Sequence, residues 1–167
     1  MPVWFLVLIQ IAILAYAFVG GVFLAFSDFI MRSLANTGGV GGVGGVEAMQ
    51  AINREVFRWV FMTLFLGLVP VSFIIVGYTV FHSDGPVGIL MALAGLIYLI
   101  GCFSVTLFFN VPMNEALAGM EQSDSVTEHY WTQTYVPRWT FWNTVRTSAC
   151  AVSSALLLFG LALSANS

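Results

Sequence analysis

Charged residues are scarce in this chain, and lysine is absent altogether. Of the 167 residues 8% are charged and 59% are hydrophobic, with a net charge of −3 and a mean hydropathy of +0.94. Soluble domains carry about 25% charged residues, so a soluble chain of this composition could not cover its surface with polar groups. The five basic residues are all arginine, which leaves no broad basic surface and argues against nucleic acid as a partner.

Cysteine and histidine are too few and too scattered to form a familiar catalytic or metal motif. Cys102 and Cys150 each lie inside an apolar run, without a CxxC pair, and this favours buried structural cysteines over a thiol–disulfide enzyme. His82 and His129 fall on opposite sides of a four-span topology, so neither a bis-histidine haem nor a metal site is expected. The glycine tract lacks the Lys-Ser/Thr of a P-loop. We therefore expect no cofactor.

The sequence contains several long runs of residues without a charge. A helix rises about 1.5 Å per residue, so about 20 apolar residues cross a hydrocarbon core of about 30 Å. Four runs meet this length, and the first lacks the basic start of a signal peptide. The sequence predicts an all-α integral membrane four-helix bundle in a single domain, 1–167, surrounded by the lipid bilayer. The expected spans are approximately 3–33, 47–81, 87–111 and 138–165.

The first and third loops are expected to contain short interfacial helices. The glycine tract 38–45 predicts a flexible loop, because glycine loses much backbone entropy in a helix. A helix is predicted to resume at Glu47 and to run through Arg58 into the second span. In the third loop, Ser125 followed by Glu128 fits a capping box and predicts a short helix before Pro137.

The arginines also predict an orientation. All five lie at the span ends that face the first and third loops, while the second loop, with His82 and Asp84, and the termini hold none. The positive-inside rule then places the first and third loops in the cytoplasm and both termini outside. We expect the membrane to be a bacterial inner membrane.

Polar residues inside an apolar chain are costly, so their positions are informative. Antiparallel spans bring the end of one helix beside the start of the next, and four polar groups therefore meet at one membrane face. Arg146 lies about 12 Å deeper than Arg138 at 1.5 Å per residue. The four groups are Asp28 with Arg32; Asn53 with Arg54; Asn110 with Asn114; and the helical stripe Trp139, Trp142, Asn143 and Arg146.

Each group also has a purely structural interpretation. Asp28 and Arg32 are four residues apart and could form an interfacial ion pair. The arginines could anchor lipid headgroups, and Arg146 could reach back to the interface along its own side chain. The asparagines could join helices to one another, and the tryptophans could form an interfacial aromatic belt.

Several segments resemble a known family. The asparagine–proline–asparagine segment in 109–117 and the tryptophan–asparagine–arginine segment in 139–146 are similar to segments of the anthrone-oxygenase-like membrane proteins, as are 48–54 and 26–34. The glycine tract departs from the family pattern. The resemblance implies four membrane helices. It also implies oxidation of polyketide anthrones to anthraquinones by oxygen, without flavin, metal or haem.

The residues are compatible with that chemistry, which requires an anionic, flat, lipophilic substrate. Arg146 and the amides could stabilise the anion as an oxyanion site does, and His129 or Asp28 could accept the proton. The expected function is thus a membrane-embedded oxygenase on an anthrone- or quinol-like aromatic. A non-catalytic module that binds a lipid or other hydrophobic ligand, an accessory subunit and a small transporter remain alternatives, and a homo-oligomer stays open. The expected catalytic residues are Asn110, Asn114, Asn143, Arg146, His129 and Asp28, and the expected substrate-binding residues are Trp139, Trp142, Asn53, Arg54 and Arg32.

Overall fold

A computed structural model describes three stretches of the chain, 1–37, 43–83 and 85–165. These residues form helices joined by short loops, and no strand occurs among them. The continuous helices are α1 (Val3–Ala35), α2 (Val43–Glu55), α3 (Trp59–His82), α4 (Pro86–Ala118) and α5 (Ser125–Ser164).

Four of these helices are long and apolar enough to cross a membrane. An 18-residue stretch of each of these helices has a mean hydropathy of 2.4 in α1, 2.4 in α3, 2.2 in α4 and 1.7 in α5. Helix α2 has 13 residues, which is too short to cross a hydrocarbon core of about 30 Å. The predicted all-α bundle with four candidate spans is therefore confirmed, with α2 as the helix of the first loop.

The bundle is organised around α5, which packs against both α1 and α4, while α3 closes the bundle against α1 and α4. Small residues permit the close crossings, because they let two helix backbones approach each other. A Cβ atom on Gly20 of α1 would lie 2.9 Å from the Cβ of Cys150 on α5. Cys102 and Cys150 are buried free thiols whose sulfur atoms lie 3.5 Å apart, in agreement with the expectation of buried cysteines.

A second apolar cluster lies beneath α2, at the end of the bundle that bears the first and third loops. Gln50 attaches α2 to the end of α4: its Nε2 donates to the carbonyl oxygens of Leu117 (2.9 Å) and Met120 (3.1 Å). Its Oε1 accepts from Gln122 Nε2 at 3.0 Å. Helix α2 therefore covers the aromatic side chains at this end of the bundle. The buried residues of the cluster are Met31, Val46, Met49, Leu117, Trp131, Tyr135 and Trp139.

The first loop differs from the prediction at both ends of its helix. Residues 38–42 of the glycine tract lie outside the described residues, but Gly44 and Gly45 are helical, which corrects the expectation that the tract resists a helix. The reason is packing, because a Cβ atom on Gly45 would overlap the carbonyl oxygen of Leu34. The chain is extended at Arg58, with φ −69° and ψ 154°, so α2 does not run into the second span as predicted. This break lets α2 fold back over the bundle end.

The third loop begins its helix one residue earlier than predicted. Asp124 is the N-cap, and its carboxylate accepts from the backbone N–H of Val126 at 3.1 Å. Ser125, the predicted cap, is the first helical residue instead. The short helix Ser125–Tyr130 then continues through a π-helical turn into the fourth span. The helix therefore starts before residue 138, the expected start of the fourth span. Asp84 of the second loop lies outside the described residues.

Candidate functional site

Three of the spanning helices contain a π-helical turn near the loop-one and loop-three end of the bundle. These turns are Phe26–Ile30, Thr106–Asn110 and Trp131–Tyr135. Two of them precede Pro112 and Pro137. A helical proline lacks an N–H donor and excludes the carbonyl group four residues before it, and that carbonyl falls inside the π turn in both cases. Single π turns within α-helices are frequent at functional sites.

Asn143 is fully buried, and its amide joins α5 to α1 through the nitrogen and holds Arg146 through the oxygen. Its Nδ2 donates to the carbonyl oxygen of Phe23 at 2.6 Å and to Ser27 Oγ at 2.7 Å. Its Oδ1 accepts from the NH2 nitrogen of Arg146 at 2.6 Å. Asn143 therefore fixes the position of the Arg146 guanidinium group.

The Arg146 side chain points into the bundle and not toward the membrane surface. The residue is 5% exposed, and its second polar partner is Thr106 Oγ1, 3.3 Å from NH1. The guanidinium carbon lies 4.1 Å from the centroid of the Phe23 ring and 5.3 Å from that of Trp139. Within the described residues no carboxylate pairs with this cation, and its buried Nε–H has no acceptor.

This environment leaves the positive charge of Arg146 uncompensated. Cation–π contacts with two rings contribute up to about 2 kcal/mol where the cation is desolvated, but burial of an unpaired charge costs more than that. In a bundle apolar enough to cross a membrane, such an ionisable residue is expected to serve a ligand or a pathway. Because the guanidinium is planar and forked, a flat oxyanion is the partner it fits best.

Two further asparagines contact Trp139, which lies beside the guanidinium. Asn110 is 1% exposed and donates from Nδ2 to the carbonyl oxygen of Trp139 at 3.2 Å, while its buried Oδ1 has no donor within the described chain. Asn114 Oδ1 accepts from both Tyr135 Oη (2.7 Å) and Trp139 Nε1 (2.8 Å). We call Asn110, Asn114, Trp139, Asn143 and Arg146 the amide–guanidinium cluster.

The structure thus brings together five of the site residues predicted from the sequence. A sixth, Asn53, lies at the edge of the cluster, with Nδ2 3.5 Å from Tyr135 Oη. The sequence analysis missed the partners Phe23, Ser27, Thr106 and Tyr135. Thr106 precedes Asn110 by four residues, and Tyr135 precedes Trp139 by four. This spacing is about one helical turn, so it would have indicated Thr106 and Tyr135 as neighbours of the predicted site residues.

Five other predicted site residues do not join the cluster. Arg32, Arg54 and Asp28 are exposed, and the ion pair found in the described residues joins Glu55 to Arg58 instead of Asp28 to Arg32. His129 is exposed and precedes Arg146 by 17 residues, which is about 25 Å of helix. The Trp142 ring stacks on Phe109 with centroids 3.7 Å apart, and this contact is separate from the cluster.

A groove between two helices lies at the same end of the bundle. Among the described residues, no group of three or more His, Cys, Asp or Glu side chains could hold a metal ion. A groove of about 390 Å³ runs between α1 and α5, and Ser27 and Thr144 are among its lining residues. The hydroxyl oxygens of Thr144 and Ser27 are hydrogen-bonded at 2.9 Å, so the groove borders the hydrogen-bond network of Asn143.

The fold and site define a class, a bundle of four long apolar helices with a buried arginine held by an asparagine amide at one end. A comparison with protein families narrows this class: residues 54–156 match the anthrone oxygenase family, and the chain belongs to it. No curated protein and no solved structure matches the chain. The matched range includes the whole amide–guanidinium cluster and His129, whereas Asp28, Arg32 and Asn53 lie outside it.

The shared acceptor of Asn114 generates a prediction about stability. Replacing Asn114 by Ala leaves the buried donors of Tyr135 and Trp139 without an acceptor, so we expect a loss of about 2 kcal/mol in unfolding free energy. The measurement is thermal unfolding in detergent, followed by tryptophan fluorescence. Glu115→Ala is the control, because its exposed side chain shares the same turn. Equal melting temperatures for the two variants would contradict the assignment of Asn114 as the shared acceptor of Tyr135 and Trp139.

Proposed function

We propose that the protein is an oxygenase that oxidises a lipophilic, weakly acidic aromatic substrate of the anthrone or quinol type at the amide–guanidinium cluster. The observation that carries the proposal is the buried guanidinium of Arg146, which no carboxylate neutralises within the described residues. Membership of the anthrone oxygenase family supports the same reaction class.

The chemistry explains why an unpaired cation is useful. Neutral anthrone reacts slowly with oxygen, whereas its anion readily gives up an electron. A fixed guanidinium in a site with little water favours the anion strongly, because charge interactions are less screened there. Arg146 would therefore lower the pKa of the bound substrate and generate the form that reacts with oxygen.

The proposed reaction is balanced without another oxidant. Loss of one proton from the anthrone CH₂ carbon gives the anion, which transfers an electron to O₂. The resulting radical pair combines to form a C–O bond, and protonation gives a hydroperoxide on the same carbon. Loss of the second hydrogen as a proton breaks the O–O bond and releases hydroxide, which is protonated to water. One anthrone and one O₂ thus yield one anthraquinone and one H₂O.

Each cluster residue has a role in this proposal. The Nε–H of Arg146 donates to the substrate oxyanion, and Asn110 Oδ1 accepts from a substrate hydroxyl group, since both atoms lack partners in the described chain. Phe23 and Trp139, whose rings lie beside the guanidinium group, would contact the aromatic rings of the substrate. Asn143 and Asn114 are positioning residues, because both polar atoms of the Asn143 amide and the Oδ1 atom of Asn114 are already hydrogen-bonded within the protein. Asp28 and His129 are exposed, and we assign the proton to water at the edge of the site.

Replacing Arg146 tests the function directly. Arg146→Ala should lower the rate of anthrone oxidation about 100-fold or more, as loss of an oxyanion donor does elsewhere. Arg146→Lys keeps the charge without the forked geometry, so we expect an intermediate rate. The measurement combines anthraquinone absorbance with oxygen uptake, after subtraction of the uncatalysed rate, and should give one O₂ consumed per anthraquinone formed.

The matched control is Arg58→Ala, because the Arg58 side chain is 82% exposed and lies outside the cluster. This variant should retain the wild-type rate. All variants must elute as the wild type does from a sizing column in detergent. Wild-type turnover by folded Arg146→Ala would refute the proposal.

A second candidate is a module that binds an anionic hydrophobic ligand without converting it. It is favoured by the internal hydrogen bonds that occupy Asn114 and Asn143. Saturable binding of an anthrone without oxygen uptake would support this alternative.

We further propose that the first and third loops face the cytoplasm of a bacterial inner membrane, with the termini outside. The arginine distribution supports this orientation. In a variant with both native cysteines replaced by serine, Ser123→Cys in the third loop should resist a membrane-impermeant maleimide in spheroplasts. Ser83→Cys in the second loop should react. The opposite labelling pattern, with both sites reactive after permeabilisation, would invert the orientation.

A further inference from the structure

The groove between α1 and α5 has mainly apolar walls. Its volume is about 390 Å³, and Met31, Ala35, Val136, Pro137 and Phe141 form its apolar lining. Pockets of about 300–1,000 Å³ with apolar walls and a few polar groups are typical of small-molecule sites. Phe141 is 60% exposed, so part of the wall is open to an apolar molecule in the bilayer.

Three hydroxyl groups supply the polar part of this groove. Ser27 and Thr144 are hydrogen-bonded to each other at 2.9 Å, but the buried hydroxyl of Thr140 has no partner in the described chain. A helical threonine without a water contact commonly bonds the carbonyl four residues earlier. Because Thr140 makes no such bond, its hydroxyl group is available to pair with a ligand atom in the groove.

The groove also adjoins the amide–guanidinium cluster. Ser27 Oγ accepts from Asn143 Nδ2 at 2.7 Å, and Asn143 Oδ1 accepts from Arg146 at 2.6 Å. Two hydrogen bonds therefore separate the polar lining of the groove from the guanidinium group. Arg32 contributes an exposed cation to the same groove, where it favours a substrate with an ionisable substituent.

We propose that this groove is the entry and binding subsite for a hydroxylated aromatic substrate, an inference that rests on the proposed function. The substrate enters from the bilayer, and its rings contact Met31 and Phe141. A substrate hydroxyl group pairs with Thr140 Oγ1. The reacting part of the molecule then lies toward Asn143 and Arg146. Thr140 is thus a substrate-binding residue that the sequence motifs did not indicate.

The test measures binding separately from turnover. The probe is 1,8-dihydroxyanthraquinone, a product analogue, titrated against the full-length protein in detergent, with binding followed by quenching of tryptophan fluorescence. Ala35→Phe fills the groove and should weaken binding at least 10-fold. Ala17→Phe places the same side chain on an exposed position of α1 away from the groove, and it should bind as the wild type does.

Thr140 provides a second, smaller change in the same experiment. Thr140→Val removes the hydroxyl at nearly constant shape, so we expect the dissociation constant and the KM for anthrone to rise about 5- to 10-fold, as for loss of one hydrogen bond. The kcat should change less than the KM. Thr140→Ser restores the hydroxyl and should restore both values, which a merely structural role would not predict.

The possible results of these experiments test the groove proposal and the proposed oxygenase function separately. If Ala35→Phe and Thr140→Val bind the probe as tightly as Ala17→Phe, the groove is not the binding subsite, whatever the fate of the Arg146 variants. If these two variants lose binding and the wild type consumes no anthrone, the groove proposal stands and the proposed oxygenase function fails. Competition by anionic phospholipid that abolishes probe binding to the groove would identify a lipid site and overturn the proposal.

Discussion

The hydrogen bond between Asn143 and Arg146 is the contact on which the amide–guanidinium cluster depends. Asn143 attaches α5 to α1 through Phe23 and Ser27, and its remaining oxygen holds the guanidinium group at 2.6 Å. A neutral amide orients the cation without cancelling its charge. A carboxylate at this position would neutralise the arginine, and the site would no longer favour an anionic substrate.

The surrounding structure isolates this charge from water. Helix α2 folds over the bundle end, where Gln50 fastens it to the end of α4. Beneath α2, Trp131, Tyr135 and Trp139 form consecutive ring contacts along one face of α5, with centroids 5.3 and 6.2 Å apart. The π turn Trp131–Tyr135 lies within this face. Low local polarity strengthens the electrostatic effect of Arg146 on any anion beside it.

Much of the fold and part of the site could be predicted from the sequence. Runs without charged residues indicated the four candidate spans. The antiparallel arrangement of consecutive spans predicted that Asn110, Asn143 and Arg146 converge. Trp142 lies outside the cluster, because a spacing of three residues places it at the margin of the helical stripe, where it stacks on Phe109. The helical conformation of Gly45 could not be predicted from helix propensity, because it depends on close tertiary packing against Leu34 and Trp131. Likewise, no local pattern marks the long-range contact of Gln50 with Leu117.

The most direct test of the central claim is the ionisation of a bound phenol. The absorption spectrum of 1,8-dihydroxyanthraquinone distinguishes its neutral and ionised forms, and a pH titration of the complex gives the pKa of the bound ligand. An unpaired Arg146 predicts a pKa at least about one unit below that of the ligand in empty micelles, equivalent to about 1.4 kcal/mol. Arg146→Ala should abolish this shift. An unshifted pKa in the wild-type complex, or the same shift in the variant, would contradict the account.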